Sequence, residues 1–285
     1  MNHSVKILWN ILTIFAKFFT GDVFLIMKKF VSKLVLFAMV LALVCSCAYA
    51  ETDSEYVKAK GTLVVGITVF QPMDYKNEAG EWLGFDADLA KAFAESLGVK
   101  AEFQEIEWNN KILELNGRNI DCVWNGMTLT SEVLASMACS KAYCNNAQVV
   151  IVPANVAEKF QSVESVKGLN FAVEHGSAGM EVAQANGFKT TNVQDQATAL
   201  MEVASGTADA AIIDSLMAAA MVGKGTGYEN LTYTVALNSE EYGVGFRKDS
   251  DLADKLNAFF DAKYNDGSIQ KLAETYKIQA ALIKQ

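Results

Sequence analysis

Arginine and histidine are nearly absent from this chain. Its 285 residues include only two of each, and the arginines are Arg118 and Arg247. One histidine, His175, lies beyond residue 50, and no set of Cys and His has metal-ligand spacing. A zinc or iron centre is therefore not expected, and neither is any other cofactor. Cysteine is sparse as well. Of five, only Cys122, Cys139 and Cys144 lie beyond residue 50, an odd number that gives no disulfide framework. Cys139 and Cys144 could still pair in an oxidising compartment. The sequence has no basic cluster, no low-complexity tract and no internal repeat. Past Ala50 it holds 19 basic and 32 acidic residues, a net charge of −13. Such a balance argues against nucleic acid and against anionic membrane surfaces as partners.

What is present begins with a leader. Met27-Lys28-Lys29 and Lys33 make a basic n-region, and Leu34 to Val44 an apolar h-region too short to span a membrane. Ala48-Tyr49-Ala50 supplies an A-x-A cleavage site before Glu51. Val44-Cys45-Ser46-Cys47 offers a second route, a loose lipobox with Cys47 as the lipidated residue. Residues 27–50 therefore read as a signal peptide, and the product as extracytoplasmic, in the periplasm or at the cell surface. Residues 1–26 are apolar but carry Lys6, Lys17 and Asp22. They read as an extension ahead of a true start at Met27, with an amphipathic or membrane segment as the alternative. Cleavage after Ala50 leaves 235 residues, enough for one large domain or two lobes with a core each.

Strands alternate with helices through that body, which reads as α/β. Apolar runs predict strands at Thr62–Ile67, Lys100–Ile106, Ile120–Trp124, Ala147–Val152, Leu169–Val173, Ala208–Ile213 and Tyr242–Phe246. Helices are predicted at Phe85–Leu97, Asn110–Leu115, from Ser177 through Ala185, over QATALMEVAS behind an Asp195 cap, and at Leu252–Tyr264 and Ser268–Tyr276. In the first of these, Leu89, Ala90, Phe93, Ala94 and Leu97 share a face, and Gly98 stops it.

The stretch DCVWNGMTLTSEV, Asp121 to Val133, carries the most chemistry. A strand ends at Trp124, Asn125-Gly126 breaks it, and Thr128 and Thr130 lead into a helix start at Ser131-Glu132. Backbone N–H groups and hydroxyls left free there suit a small polar or anionic ligand; an ordinary βα loop is the plainer reading. Phe70, Thr128, Ser177 and Asp214 all fall just past carboxyl ends of predicted strands, where open α/β sheets bind ligands. Four together point to a cleft.

The order and spacing of GTLVVGITVFQPMDY, GEWLGFDADLAKAFAESLG, EWNNKILELNGRNIDCVWNGMTLTSE, SKAY, FAVEHGSAG, GTADAAIID and YGVGFRKDS resemble the extracellular solute-binding proteins of family 3, the polar amino-acid receptors of ABC importers. The likeness runs from about Glu55 to the C-terminus. It implies the type II periplasmic-binding-protein fold, two α/β lobes joined by two crossing strands. Lobe one would be 55–147 plus 241–285 and lobe two 148–240, the chain crossing at Ala147–Val152 and Glu241–Val244. It further implies hinge closure over an amino acid or related amine, a monomer, and recognition by a membrane permease.

The resemblance also assigns roles. Phe70 and Trp108 stand where rings sandwich the ligand. Asn125 and Gly126 stand where carbonyls accept from an α-ammonium, which Asp214 would pair with. Thr128, Ser177 and Ala178 stand where a hydroxyl and amides meet the α-carboxylate. Trp124 and Glu174 line the specificity side, and Met127 and Tyr75 are weaker candidates for ligand contact. One departure stands out. The family pattern MTxTxER puts an arginine at 133 to fork the α-carboxylate, and here the residue is Val133. Lys141 in SKAY is the nearest cation along the chain. Without a substitute, the site would favour a cationic amine lacking that carboxylate. Two other functions fit the fold: a sensor or surface protein without transport, and a cyclohexadienyl-dehydratase-like enzyme using Glu174-His175 as its acid–base pair.

Overall fold

The computed structural model describes residues 3–18 and 51–285. The leader read at 27–50, with Met27, Cys47 and the cleavage motif, lies outside them. Residues 3–18 form a unit of their own, the helix His3–Phe18, with Ile7, Trp9, Ile11, Leu12 and Ile14 exposed. Among the described residues no helix is long and apolar enough to cross a membrane.

Thr52–Gln285 is the second unit and contains two principal sheets. The strands are β1 (Thr62–Ile67), β2 (Tyr75–Lys76), β3 (Trp82–Leu83), β4 (Lys100–Glu105), β5 (Cys122–Thr128), β6 (Ala138–Cys139), β7 (Cys144–Asn146), β8 (Gln148–Pro153), β9 (Asn170–Glu174), β10 (Lys189–Val193), β11 (Ala210–Asp214), β12 (Leu231–Ala236) and β13 (Glu240–Phe246). The first sheet runs β4-β1-β5-β13-β6, with β7 also on β13. The second runs β10-β9-β11-β8-β12. In each, three parallel strands meet antiparallel neighbours contributed by the crossing chain. The chain leaves the first sheet at β7, enters the second at β8 across Ala147, and returns from β12 to β13 across residues 237–239.

Local rules place the elements around these sheets. The helix Phe85–Ser96 buries Phe85, Leu89, Ala90, Phe93 and Ala94, and Gly98 at φ +79° turns the chain out of it. Burying one such phenylalanine contributes roughly 2–3 kcal/mol. Gln196–Ser205 is capped by the Asp195 carboxylate, which accepts from Thr198 N at 2.7 Å, and closed by Gly206 in the left-handed conformation. Apolar packing continues from the first sheet through Phe70, Tyr242, Ile213 and Met217 into the second.

One expectation needs correction. Asn125-Gly126 does not end β5, which runs on to Thr128 with Gly126 at φ +54° inside it. The ladder to β13 shifts register here, and neither β1 nor β13 sets a partner opposite Asn125 or Gly126. The turn residues therefore make a bulge within a strand. Cys139 and Cys144 are free thiols, opposite Gly245 and Tyr242 of β13 respectively. The edge strands β10 and β12 and the β2–β3 hairpin have no counterpart in the predicted elements.

Candidate functional site

The carboxyl ends of β1 and β5 face those of β9 and β11 across a cleft with about 420 Å³ of free space, part of it open to solvent. One wall is Thr68, Phe70, Trp108, Lys111, residues 125–128, Thr130 and Val133; the other is Glu174, residues 176–178, Glu181, Gln196 and Asp214.

On the first wall Gly126 decides where Phe70 lies. A Cβ on Gly126 would sit 2.4 Å from the Phe70 ring, so only glycine lets the ring reach the β5 backbone. Tyr242 meets Phe70 edge-on, with centroids 6.2 Å apart. The Asn125 side chain is consumed by scaffolding: its Oδ1 accepts from Thr68 N at 2.9 Å and Thr68 Oγ1 at 2.7 Å, and its Nδ2 donates to Thr68 O and Asp74 Oδ2. What it leaves to the cleft is its backbone, which has no ladder partner. Gly126 N donates to Asp86 Oδ2 at 2.6 Å. Met127 is buried beside it on the same wall. Thr128 donates its hydroxyl proton to Glu240 Oε1 at 2.8 Å, which leaves the oxygen as an acceptor. Trp108 opens a single 3-10 turn and is buried against the cleft.

On the second wall Ser177 caps the helix Ala178–Ala185, accepting from Met180 N at 3.1 Å. Ser177 and Ala178, at that helix start, line the cleft. Asp214, at the end of β11, accepts through Oδ1 from Asn146 Nδ2, from Gln148 Nε2 at 2.8 Å and from Tyr242 OH at 2.9 Å, and through Oδ2 from Gln196 Nε2. Burial, then the nearby Glu240 carboxylate, push its pKa up to about 8. Gln148 Nε2 also donates to Glu240 Oε1 at 2.8 Å, so both chain crossings are tied to Asp214 by side-chain bonds. Glu174 is fully buried, and its Oε1 has no hydrogen-bond partner. Burial first, then Asp214 and Asp195, raise its pKa well above the carboxylate range, and Lys111 acts against them. His175 is exposed and off the cleft, so it makes no acid–base pair with Glu174 there.

Phe70, Trp108, Asn125, Gly126, Met127, Thr128, Glu174, Ser177, Ala178 and Asp214 thus come together on one cleft. Two candidates do not. Trp124 is fully buried in the first sheet's core, packed on Phe93 at 6.2 Å and Phe260 at 5.8 Å between centroids. The burial of both faces of β5 puts it there. Tyr75, on the β2–β3 hairpin, lines a separate groove with Leu216, Thr226 and Tyr276. Lys141 lies away from the cleft too, paired with Asp261 at 3.0 Å on the surface.

Lys111 and Gln196 are cleft residues that the motifs did not single out. Lys111 is buried, and its ammonium lies 5.0 Å from the Trp108 ring centre. It donates to Trp108 O at 3.4 Å and, across the cleft, to Gly176 O at 2.9 Å. Gly176, at φ +75°, lets the Asn109 backbone approach to where a Cβ would stand 2.8 Å away. No sequence signal marks Lys111, because the contact that buries it spans 65 residues. Gln196 reads locally as the first residue of a capped helix, yet its side chain also accepts from Asp214 N at 2.8 Å.

Residues 63–279 match the family described as bacterial extracellular solute-binding proteins, family 3. The arginine-binding extracellular protein ArtP of Bacillus subtilis is 30% identical over 257 residues, which is 88% of this chain and 98% of that protein. The L-cystine-binding protein TcyJ of Escherichia coli K12 is 27% identical, over 77% of this chain and 84% of that one. Among solved structures, a mutant of ArgBP from T. maritima superimposes with a TM-score of 0.73 at 32% identity, covering 79% of this chain and 98% of that chain. An ancestral amino acid-binding protein, a precursor of cyclohexadienyl dehydratase, gives a TM-score of 0.71 at 31% identity over 78% and 98%.

Proposed function

The chain belongs to the bacterial extracellular solute-binding proteins, family 3, and from that premise we propose that it receives a cationic amino acid for an ABC importer. Substrate binding for amino-acid import is the family's role, and the two-lobe fold is its fold. The observation that carries the finer reading is the charge balance of the cleft. Glu174, Glu181 and Asp214 face a single basic side chain, Lys111, among the described residues. Two of those acids are buried, and a cation is what allows buried carboxylates to ionise at modest cost. An amino acid with one extra positive charge brings the site nearer neutrality than a neutral or acidic one does. Phe70 and Trp108 supply faces for the flat or aliphatic part of a side chain such as arginine's, and for its charge.

In this reading residues 55–147 plus 241–285 form one jaw and 148–240 the other. They hinge at Ala147 and residues 237–239 as a monomer, and the closed form docks on a membrane permease. The leader sends the protein out of the cytoplasm, with lipidation at Cys47 one of two processing routes and cleavage after Ala50 the other. The cleft binds and does not catalyse. Glu174 and Asp214 are the cleft carboxyls whose protons are held up by burial, but among the described residues no histidine or second base on the cleft completes an acid–base pair with either.

Calorimetry and thermal melting with the twenty L-amino acids test the proposal. L-arginine or L-lysine should bind tightest and, at a thousandfold excess over Kd, stabilise by about 4 kcal/mol. Preference for glutamate or leucine would refute it. Turnover of a cyclohexadienyl acid, lost in Glu174→Gln, would replace it with an enzyme.

A further inference from the structure

Lys111 is in an unusual position for a lysine. It is buried, yet no carboxylate lies within 4.0 Å of its ammonium among the described residues. An ammonium has three N–H donors. Two go to the carbonyls of Trp108 and Gly176, which are dipoles and not counter-charges, and no acceptor takes the third. Burial lowers its pKa, while Glu132, Glu174 and Glu181 act at longer range to hold it up. A buried cation without a counter-ion is costly, and the cost falls when an anion arrives. The place an anion would occupy is already furnished. Gly176, whose carbonyl Lys111 reaches, is followed by Ser177 and Ala178, the start of the eight-residue helix Ala178–Ala185 and its free amides. Val133 borders the same cleft and offers only van der Waals contact.

We infer that Lys111 anchors the carboxylate of the ligand, which enters between its ammonium and the first amides of the helix Ala178–Ala185. The cation missing at 133 is thereby supplied from the helix Lys111–Asn116, and the ligand keeps a free carboxylate. The reading of an amine without one is set aside. Because Lys111 already bonds across the cleft to Gly176, the same ammonium reports closure: it touches both jaws and the guest at once. This inference rests on the receptor reading above and specifies which end of the guest Lys111 holds.

The test uses the processed protein and, for the amino acid of the panel that binds tightest, its free acid, its amide and its decarboxylated amine. The wild type should prefer the free acid over both analogues by at least tenfold. Lys111→Met should weaken the free acid by roughly 10- to 150-fold. It should weaken the amide much less than the free acid, because the amide loses only what the Lys111–Gly176 bond gives to closure, so the preference collapses. Lys111→Arg should keep the preference. Equal wild-type affinity for acid and decarboxylated amine overturns the inference without any variant, as does a Lys111→Met protein that still discriminates acid from amide. If no free amino acid binds the wild type, the receptor reading falls first and takes this inference with it. If amino acids bind but discrimination is indifferent to Lys111, only this inference falls.

Discussion

Replacing Gly126 with alanine tests how the first wall of the cleft is built. Two costs add at this position. Its φ of +54° is left-handed, a conformation that costs a residue with a Cβ about 1–2 kcal/mol. The new methyl would stand 2.4 Å from Phe70 Cε1 and 3.1 Å from Tyr242 Cε2, where carbon atoms prefer about 3.5–4 Å. The Phe70 ring must retreat by roughly 1 Å, and overpacking of that kind costs about 1–3 kcal/mol. Together the loss is about 2–5 kcal/mol, or roughly 4–20 °C of melting temperature for a unit of this size. Gly98→Ala separates the two terms. Gly98 has φ +79° and nothing within 4 Å of the point a methyl would take, so it bears the backbone cost alone. Melting curves of both variants, with ligand titrations of each, give the result. Gly126→Ala should melt below Gly98→Ala and bind ligand at least threefold more weakly, since Phe70 has moved. Equal melting temperatures with unchanged affinity would refute the steric account of this wall.

Other perturbations follow from the same structure. Arg247 donates to Asp53 at 2.9 and 3.0 Å, to Ile120 O at 2.8 Å and to Asp121 at 3.2 Å, and does not line the cleft. Arg247→Met should therefore cost about 3–5 kcal/mol by unpairing buried charge, and leave affinity unchanged in the folded protein at low temperature. Lys141→Ala removes an exposed pair, so calorimetry should show no change in affinity and melting should show less than about 1 kcal/mol. Asp214, held up to about 8, Asp86, held up to about 7, and Glu174 keep protons in the folded state that the unfolded chain would release. Ligand-free stability should fall as pH rises from about 4 to about 8, because those protons are lost through the folded pKa values. A cationic ligand reverses the preference at Asp214. Its affinity should rise over pH 6–8, with proton release seen as a dependence of calorimetric heat on buffer ionisation enthalpy.

How far the sequence could be read differs from residue to residue, for physical reasons. Thr62–Ile67 and the capped helix Gln196–Ser205 were legible because local chemistry determines them: an apolar run after glycine, an aspartate cap, a left-handed glycine stop. Asp214 and Ser177 were legible as positions, since strand ends in an α/β sheet point one way. The edge strands Lys189–Val193 and Leu231–Ala236 were not, because polar and partly exposed residues interrupt them and leave no solid apolar run. Trp124 misled for the opposite reason. Every residue from Cys122 to Met127 is buried, so alternation gave no sign of which face meets the cleft and which meets Phe93 and Phe260.

Lys111 marks the boundary of that legibility, and it bears on how a missing residue is interpreted. Along the chain, a search for the cation absent at 133 leads to Lys141, eight residues away, because sequence distance is the only measure available. In space the search ends at Lys111, because the helix Lys111–Asn116 and the loop before Ser177 close on the same gap from two jaws. Loss of a binding side chain therefore says little about loss of the function until the facing lobe is in place. The chemistry a carboxylate needs is one desolvated donor bearing positive charge beside a set of free amides, and that requirement does not specify which helix delivers it. A lysine in this role has one consequence an arginine would not. As a point charge with rotatable donors it holds a carboxylate without a fixed two-pronged geometry. The site should then tolerate a carboxylate turned about its axis, and discriminate between D- and L-amino acids less through this contact than through Asp214. A D-amino acid that binds the Lys111→Arg variant relatively worse than it binds the wild type would bear this out, and equal discrimination in the two proteins would remove it.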